Sequence, residues 1–292
     1  MSYSRDRRSA TLSHPPARIQ NGIGRVQLVV IQDSPQPCPY VDGETARMPL
    51  ELPLGSIPNS FTDEFLEGGY RRSGEFIYRT RCPRCSECKP TRLDVGKFFM
   101  SSSFRRVLRR GDRELSCGWG EPAVDASRVR LFNEHRRQRG LNVDSDDVDA
   151  DGYHSFLVAT FGIALELTVW DGDHLVAVSI IDLGAKSLSA VYTMFDPDYS
   201  RFSPGTYAIL KQIEFAQRTG RQYVYLGMYV GNNRHLNYKS RYQPQERLEQ
   251  GVWVAPFDDA AENGPHSEGS GSFSPRSGPG AQVTTGGSTT QE

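Results

Sequence analysis

The sequence predicts an α+β protein: a mixed, mainly antiparallel sheet with flanking helices in the C-terminal half, preceded by a basic, cysteine-containing N-terminal domain. Three observations predict this. Beyond about residue 155 the chain carries short β-rich runs separated by turn residues. A helix with a polar entry and one further β-rich run follow them. Far upstream, three cysteines sit three residues apart in the basic run Arg81-Cys82-Pro83-Arg84-Cys85-Ser86-Glu87-Cys88-Lys89-Pro90.

With 292 residues, 37% of them apolar, the chain can bury an ordinary core. Residues 1–25 lack an apolar run of signal-peptide length, and no stretch approaches the roughly 20 apolar residues of a membrane helix. Five cysteines, an odd number, fit a reducing compartment, so a cytoplasmic protein is expected. Residues 261–292 hold 16 Gly, Ser or Pro and one aromatic, Phe273, too little apolar surface to offset chain entropy. The expected organisation is a flexible N-terminus over 1–23, an N-terminal domain with the cysteine motif over 24–120, a C-terminal domain over 121–257 and a disordered tail over 258–292.

The first half reads as irregular structure with short helices. Ser60 and Asp63 mark the start of a short helix through Phe65 and Leu66, stopped by Gly68-Gly69. From about Ser103 to Arg113 a second helix places Phe104, Val107 and Leu108 on one side and Arg105, Arg106, Arg109, Arg110 and Arg113 on the other. A third helix is expected from about Ala126 to Arg139. Strands are expected at 156–161, 164–169, 175–182 and 188–195, forming an antiparallel meander. Ser203 as cap and Pro204 at the first position open a helix carrying Ile209, Ile213 and Ala216, which ends at Gly220. A strand from Gln222 to Met228 follows. This order of elements is acyltransferase-like, an arrangement in which a helix N-terminus can face an acyl donor.

The formal net charge of −1 hides an asymmetry: residues 70–113 hold 13 Lys and Arg against 4 Asp and Glu. Such an excess suits a polyanion, and the arginine face of the second helix is a candidate phosphate contact. The acidic residues Asp144, Asp146, Asp147, Asp149 and Asp151 lack a fixed turn signature and read as a solvated loop rather than a metal site. Cys82, Cys85 and Cys88, with Cys38 as fourth ligand, are candidates for zinc or an iron-sulfur cluster; the alternative is reduced thiols that pack a loop. Cys117 reads as structural, and the histidines show no metal-pair spacing.

Four stretches together resemble one family. They are Cys38-Pro39-Tyr40 leading to Ala46-Arg47; Tyr70-Arg71-Arg72-Ser73-Gly74; the cysteine run with Pro90-Thr91-Arg92 and the Arg105-Arg106 helix; and 190–197 through Tyr223-Val224-Tyr225-Leu226-Gly227 to Asn237-Tyr238-Lys239. These look like the aminoacyl-tRNA:protein transferases, in particular the bacterial aspartate/glutamate leucyltransferases related to eukaryotic arginyltransferase. The resemblance implies transfer of an amino acid from charged tRNA to the α-amine of a protein beginning with Asp or Glu, marking it for N-degron proteolysis. It also implies an acetyltransferase-like (GNAT) C-terminal half. In eukaryotic relatives, where cysteines are implicated in iron-sulfur binding, the pattern is C-x2-C plus an adjacent pair; this chain has Cys38 and C-x2-C-x2-C.

Aminoacyl-tRNA is an activated ester, so direct aminolysis needs proximity, an uncharged amine and oxyanion support, and no cofactor. Arg71, Arg72, Ser73 and Arg241 are the candidates for holding the acidic acceptor. Tyr192, Tyr225, Tyr238 and Lys239 are the catalytic candidates, each phenol having strand packing as its plain alternative. Arg105, Arg106, Arg109, Arg110 and Arg113 are candidates for tRNA binding. Arginine as donated residue remains open, as does a zinc-dependent RNA-binding module without catalysis. Acetyl-CoA chemistry is disfavoured, because the glycine-rich loop expected before the main helix is reduced to Ser203-Pro204-Gly205-Thr206.

Overall fold

The computed structural model describes residues 18–140 and 147–255. In chain order the elements are β1 (Arg18–Ile23), β2 (Val26–Gln32), β3 (Gln36–Pro37), β4 (Thr45–Ala46), β5 (Leu50–Leu54), α1 (Phe61–Glu67), β6 (Arg71–Ser73), β7 (Phe76–Tyr78) and β8 (Lys89–Asp94). Then come α2 (Ser102–Glu114), β9 (Ser116–Gly120), α3 (Ala126–Gln138), α4 (Ala150–Tyr153), β10 (Ile163–Asp171), β11 (His174–Leu183), β12 (Ser187–Phe195), α5 (Pro204–Arg218), β13 (Tyr223–Tyr229), β14 (Gln245–Glu249) and β15 (Val252–Val254).

Two sheets carry the fold. The larger has the order β15-β14-β8-β13-β12-β11-β10-β9 and the smaller β1-β2-β5-β7-β6, with β3 and β4 paired separately. Every pairing in the large sheet is antiparallel except β12 with β13, which are parallel and joined through α5. Central strands are buried on both faces. On one face Phe104 and Leu108 of α2 and Leu210 and Ile213 of α5 meet Val176, Ala177 and Val224. On the other, Leu131 and Phe132 of α3 meet Val178, Ile180 and Met194. A third cluster joins α1 to the small sheet through Phe61, Phe65, Leu28 and Ile77.

The α2 stripe behaves as its spacing predicts: Phe104 and Leu108 are buried and the five arginines are exposed. Ser101 Oγ accepts from Phe104 N at 3.2 Å and caps the helix. Gly111 lets α5 approach, since a Cβ there would lie 2.3 Å from the Tyr207 ring. The helices expected from about 126 and at 204 and the runs at 164, 175, 188 and 222 form close to their expected limits.

Other expectations are corrected. The first half is not irregular; it holds the five-stranded sheet, whose strands of three to seven residues are too short to stand out between loops. Residues 18–23, expected to be loose, form its first strand. The strand expected at 156–161 is replaced by a π-helical turn over His154–Val158 continuing α4, because Asp149 caps that helix at Gly152 N and Leu157 is the side chain buried. Ser60 bonds Glu64 instead of the helix backbone, and Ser203 enters α5 in the left-handed region (φ 51°) without a side-chain cap. The division expected at 120/121 meets no break: β8 and β9 belong to the same sheet as β10–β15, and the described residues lie in one compact unit.

Residues 1–17, the tail from 256, Asp144 and Asp146 lie outside the described residues. Asp147 pairs with Arg137 at 3.3 Å. Among the described residues no helix is long and apolar enough to cross a membrane.

Candidate active site

The parallel pair at the centre of the large sheet is paired over only three positions, Ser187–Ser189 against Tyr223–Tyr225. Beyond them β12 continues to Phe195 and β13 to Tyr229 with no further ladder between them. The two strands thus leave facing backbone edges whose polar groups need other partners. Two cations of the sequence candidates supply them.

Arg71, on β6, donates from Nη2 to Ala190 O at 2.9 Å, the first carbonyl past the paired segment. Gly227 makes room for it. Its φ of +91° is in glycine territory, and a Cβ there would stand 3.2 Å from Arg71 Nη2. Lys239 donates from Nζ to Met228 O at 2.7 Å. Met228 lies on the part of β13 beyond its last pairing with β12, so the lysine satisfies a carbonyl that this ladder leaves open. Burial, with the Arg71 charge in addition, pulls the Lys239 amine down to about 7. It is a buried amine poised between its charged and neutral forms near neutral pH.

Arg72 is held inside the protein. Its Nε lies 2.8 Å from both carboxylate oxygens of Asp182, and its Nη groups donate to Gly74 O, Ala159 O and Leu157 O. Both side chains are almost completely buried. Arg72 therefore clamps β6 to β11, with four of its five N–H groups held by these partners. Ser73 follows on the same short strand, paired with Phe76. Arg241 is exposed, 6.0 Å from the Phe104 ring on the α2 side.

The phenols separate. Tyr238 lies where Arg71 and Arg139 both act on it, and its ring meets Tyr242. Tyr192 packs against Phe132, Phe156 and His135, and burial raises its hydroxyl to about 12 against the opposing charges of Arg136 and Arg139. Tyr225 goes elsewhere: its hydroxyl donates to Glu67 at 3.0 Å and accepts from Arg92 at 3.2 Å, inside a cation–aromatic stack with Trp253. Residues that sequence reasoning missed also converge here. Tyr40 bonds Tyr78 and reaches both Arg71 and Cys88, while Arg139, Arg234 and His235 gather beside Tyr238. They come from three segments, around Tyr40, Arg139 and Arg234-His235, so local spacing does not show their meeting.

The arginines of α2 form an exposed row, with Arg105 donating to Met100 O and Arg110 to Arg201 O. The cysteine loop lies next to a cleft of about 680 Å³ lined in part by Cys82, Cys85, Cys88, Arg79 and Lys89. Burial pushes the Cys88 thiol up to about 12, and Cys38, Cys82 and Cys85 add to the rise, so the four thiols are within electrostatic reach of one another. The donor chemistry suits a soft metal. Among the described residues, however, no three His, Cys, Asp or Glu side chains are close enough to form a ligand set. Cys117 is apart, its thiol donating to Tyr207 Oη at 3.3 Å.

Comparison with known proteins shows the family of the chain. The sequence model for the N terminus of arginine-tRNA-protein transferases matches residues 36–106, and that for their C terminus matches 127–249. An aspartate/glutamate leucyltransferase of Acinetobacter baumannii is 36% identical over 221 residues, covering 75% of this chain and 81% of the relative. One from Chromobacterium violaceum is 36% identical over 222 residues, covering 75% and 90%. Among solved structures, L-PGS from Bacillus licheniformis aligns over 71% of this chain and 70% of its own at TM-score 0.40 and 11% identity. The protein is an aminoacyltransferase. It belongs to the family of arginine-tRNA-protein transferases and aspartate/glutamate leucyltransferases.

Proposed function

We propose that this aminoacyltransferase moves leucine from leucyl-tRNA onto the α-amine of proteins beginning with Asp or Glu, in the cytoplasm, by direct aminolysis. The observation that carries the reading is the unpaired stretch between β12 and β13, with Arg71 on one edge and Lys239 on the other. The ester lies along these edges, and the acceptor's acidic side chain meets the buried Arg71 guanidinium. The acceptor amine gives up a proton to neutral Lys239 and attacks the ester carbonyl. The C–N bond forms, the bond between the acyl carbon and the ribose oxygen breaks, and that oxygen takes up the proton held by Lys239. No covalent enzyme intermediate is needed, since the ester is already activated. Tyr238 stands closest to this chemistry among the candidate phenols.

A parallel strand pair joined by α5 and then diverging supports an acetyltransferase-like (GNAT) architecture for the C-terminal half. The exposed α2 arginines support tRNA contact there. Cys38, Cys82, Cys85 and Cys88 are the residues that would hold zinc or an iron-sulfur cluster; their electrostatic reach of one another favours this, while no three of them stand as close as a ligand set requires, and the transfer itself needs no such group.

The test is purified protein incubated with labelled leucyl- or arginyl-tRNA and peptides beginning with Asp, Glu, Arg or Ala. Leucine on the Asp and Glu peptides alone is the expected result. Arginine on those peptides replaces the donor, and tRNA binding without transfer from either donor removes the catalytic reading.

A further inference from the structure

His235 stands between two guanidinium groups. Arg139 Nη2 lies 3.1 Å from its Nδ1, and Arg234 Nε lies 3.3 Å from its Nε2. A neutral imidazole has one lone pair and one N–H, so it can accept from one of these donors and must face the other with a hydrogen. Protonation makes the arrangement worse. Two guanidinium groups with a single imidazole lone pair between them is the pattern of an anion site.

The surroundings agree. The charges that act on His235 are those of Arg139 and Arg234; on His135, those of Arg139 and His235; on Tyr238, those of Arg139 and Arg71. No carboxylate figures among them. Elsewhere Arg47, Arg72, Arg81, Arg92 and Arg128 each pair with Asp or Glu. Among the described residues Arg139 Nε is buried without a hydrogen-bond partner. Its guanidinium also stands 5.9 Å from the Phe195 ring, at the far end of β12, where His135 holds the Phe195 backbone. The cluster therefore borders the unpaired stretch of β12 and β13, beside Tyr238.

We infer that Arg139, His235 and Arg234 form a binding site for a backbone phosphate at the 3′ end of the tRNA, separate from the arginine face of α2. The inference rests on the proposed transfer reaction, which puts the 3′-terminal ester in the adjoining stretch. A phosphate suits the site better than the acceptor's carboxylate. Arg234 is exposed and Arg139 and His235 are half-exposed, open enough for a polynucleotide to pass, whereas the buried cation that suits a carboxylate is Arg71.

The test compares uncharged tRNA with the same tRNA shortened by its three terminal nucleotides, binding each to wild type and to the double variant R139Q/R234Q at fixed salt. Wild type should bind the intact tRNA more tightly. The double variant should lose about tenfold in affinity for intact tRNA and nothing for the shortened one, and Arg139→Lys should recover most of the loss. Equal weakening for both tRNAs, an unchanged intact-to-shortened ratio, or no difference between the tRNAs in wild type overturns the inference. So does an unchanged tRNA affinity with a raised KM for the acceptor peptide, which would make this the acceptor's site. If wild type binds as expected but transfers no amino acid, the transfer reading fails and the phosphate site stands.

Discussion

Lys239 Nζ donates to Met228 O at 2.7 Å, on the part of β13 that runs on past its last pairing with β12. One buried amine thus satisfies a strand carbonyl that the β12–β13 ladder leaves open.

That amine sets a pH dependence. Its pKa of about 7 lies below the ordinary 10.5, so between these values the unfolded chain holds the extra proton and stability contributed by this group rises with pH. Below pH 7 the burial cost is complete. In Lys239→Met the stability difference from wild type, measured by urea unfolding from pH 6 to 10, should shift steadily in favour of wild type as pH rises. Single-turnover transfer should fall below about pH 7 in wild type, and Lys239→Gln should lose that step while keeping the one due to the acceptor amine, near 7.7–8.0.

Asp182→Asn leaves Arg72 buried without its counter-charge. The expected loss is about 3–5 kcal/mol in chemical unfolding. Replacing both residues with apolar ones of similar volume should cost less than Asp182→Asn alone, so a double-mutant cycle will show coupling between them.

Arg71→Ala should raise the KM for Asp- and Glu-initiated peptides by roughly thirtyfold or more, reflecting about 2 kcal/mol or more for a buried charge pair. The affinity for tRNA should not change. Gly227→Ala should act in the same direction, since its Cβ would lie 3.2 Å from Arg71 Nη2 and its φ of +91° disfavours alanine.

Arg106→Gln and Arg109→Gln should each weaken binding of intact and shortened tRNA alike. The slope of log affinity against log salt should flatten by about 0.7–0.9 for each phosphate that is no longer neutralised. Filter binding over a salt series reads both quantities.

If the four-cysteine set holds a metal, protein purified without oxygen will carry zinc or iron, measured by elemental analysis. Cys88→Ser and Cys38→Ser should lose it. Cys117→Ser, whose thiol meets Tyr207 far from the loop, should retain it.

Where a pattern is local, the sequence displays it. The α2 stripe, the Pro204 entry to α5 and the meander from 163 to 195 all follow from spacing within one element. The motif residues Arg71, Gly227 and Lys239 are visible as residues, but their meeting is not, because Arg71 reaches across 119 positions to Ala190. Arg72 stands beside Arg71 in the same motif and has the opposite fate, decided by Asp182 110 positions away. Arg139, Arg234 and His235 lie in ordinary basic surroundings in the sequence, and only tertiary packing brings them together without a carboxylate. The small sheet is not legible in the sequence because its strands are only three to seven residues long, too short for a clear alternation.

The place of β8 has a consequence for how the chain is made. It lies between β13 and β14, and Arg92 on it pairs with Glu246, 154 positions later. During synthesis β8 leaves the ribosome long before either neighbour exists, so the large sheet cannot close until the chain is nearly complete. A product truncated before Tyr223 exposes both edges of β8 and offers a target for chaperones, proteases or aggregation. Chimeras that exchange halves between relatives must match that strand, or the sheet will not assemble.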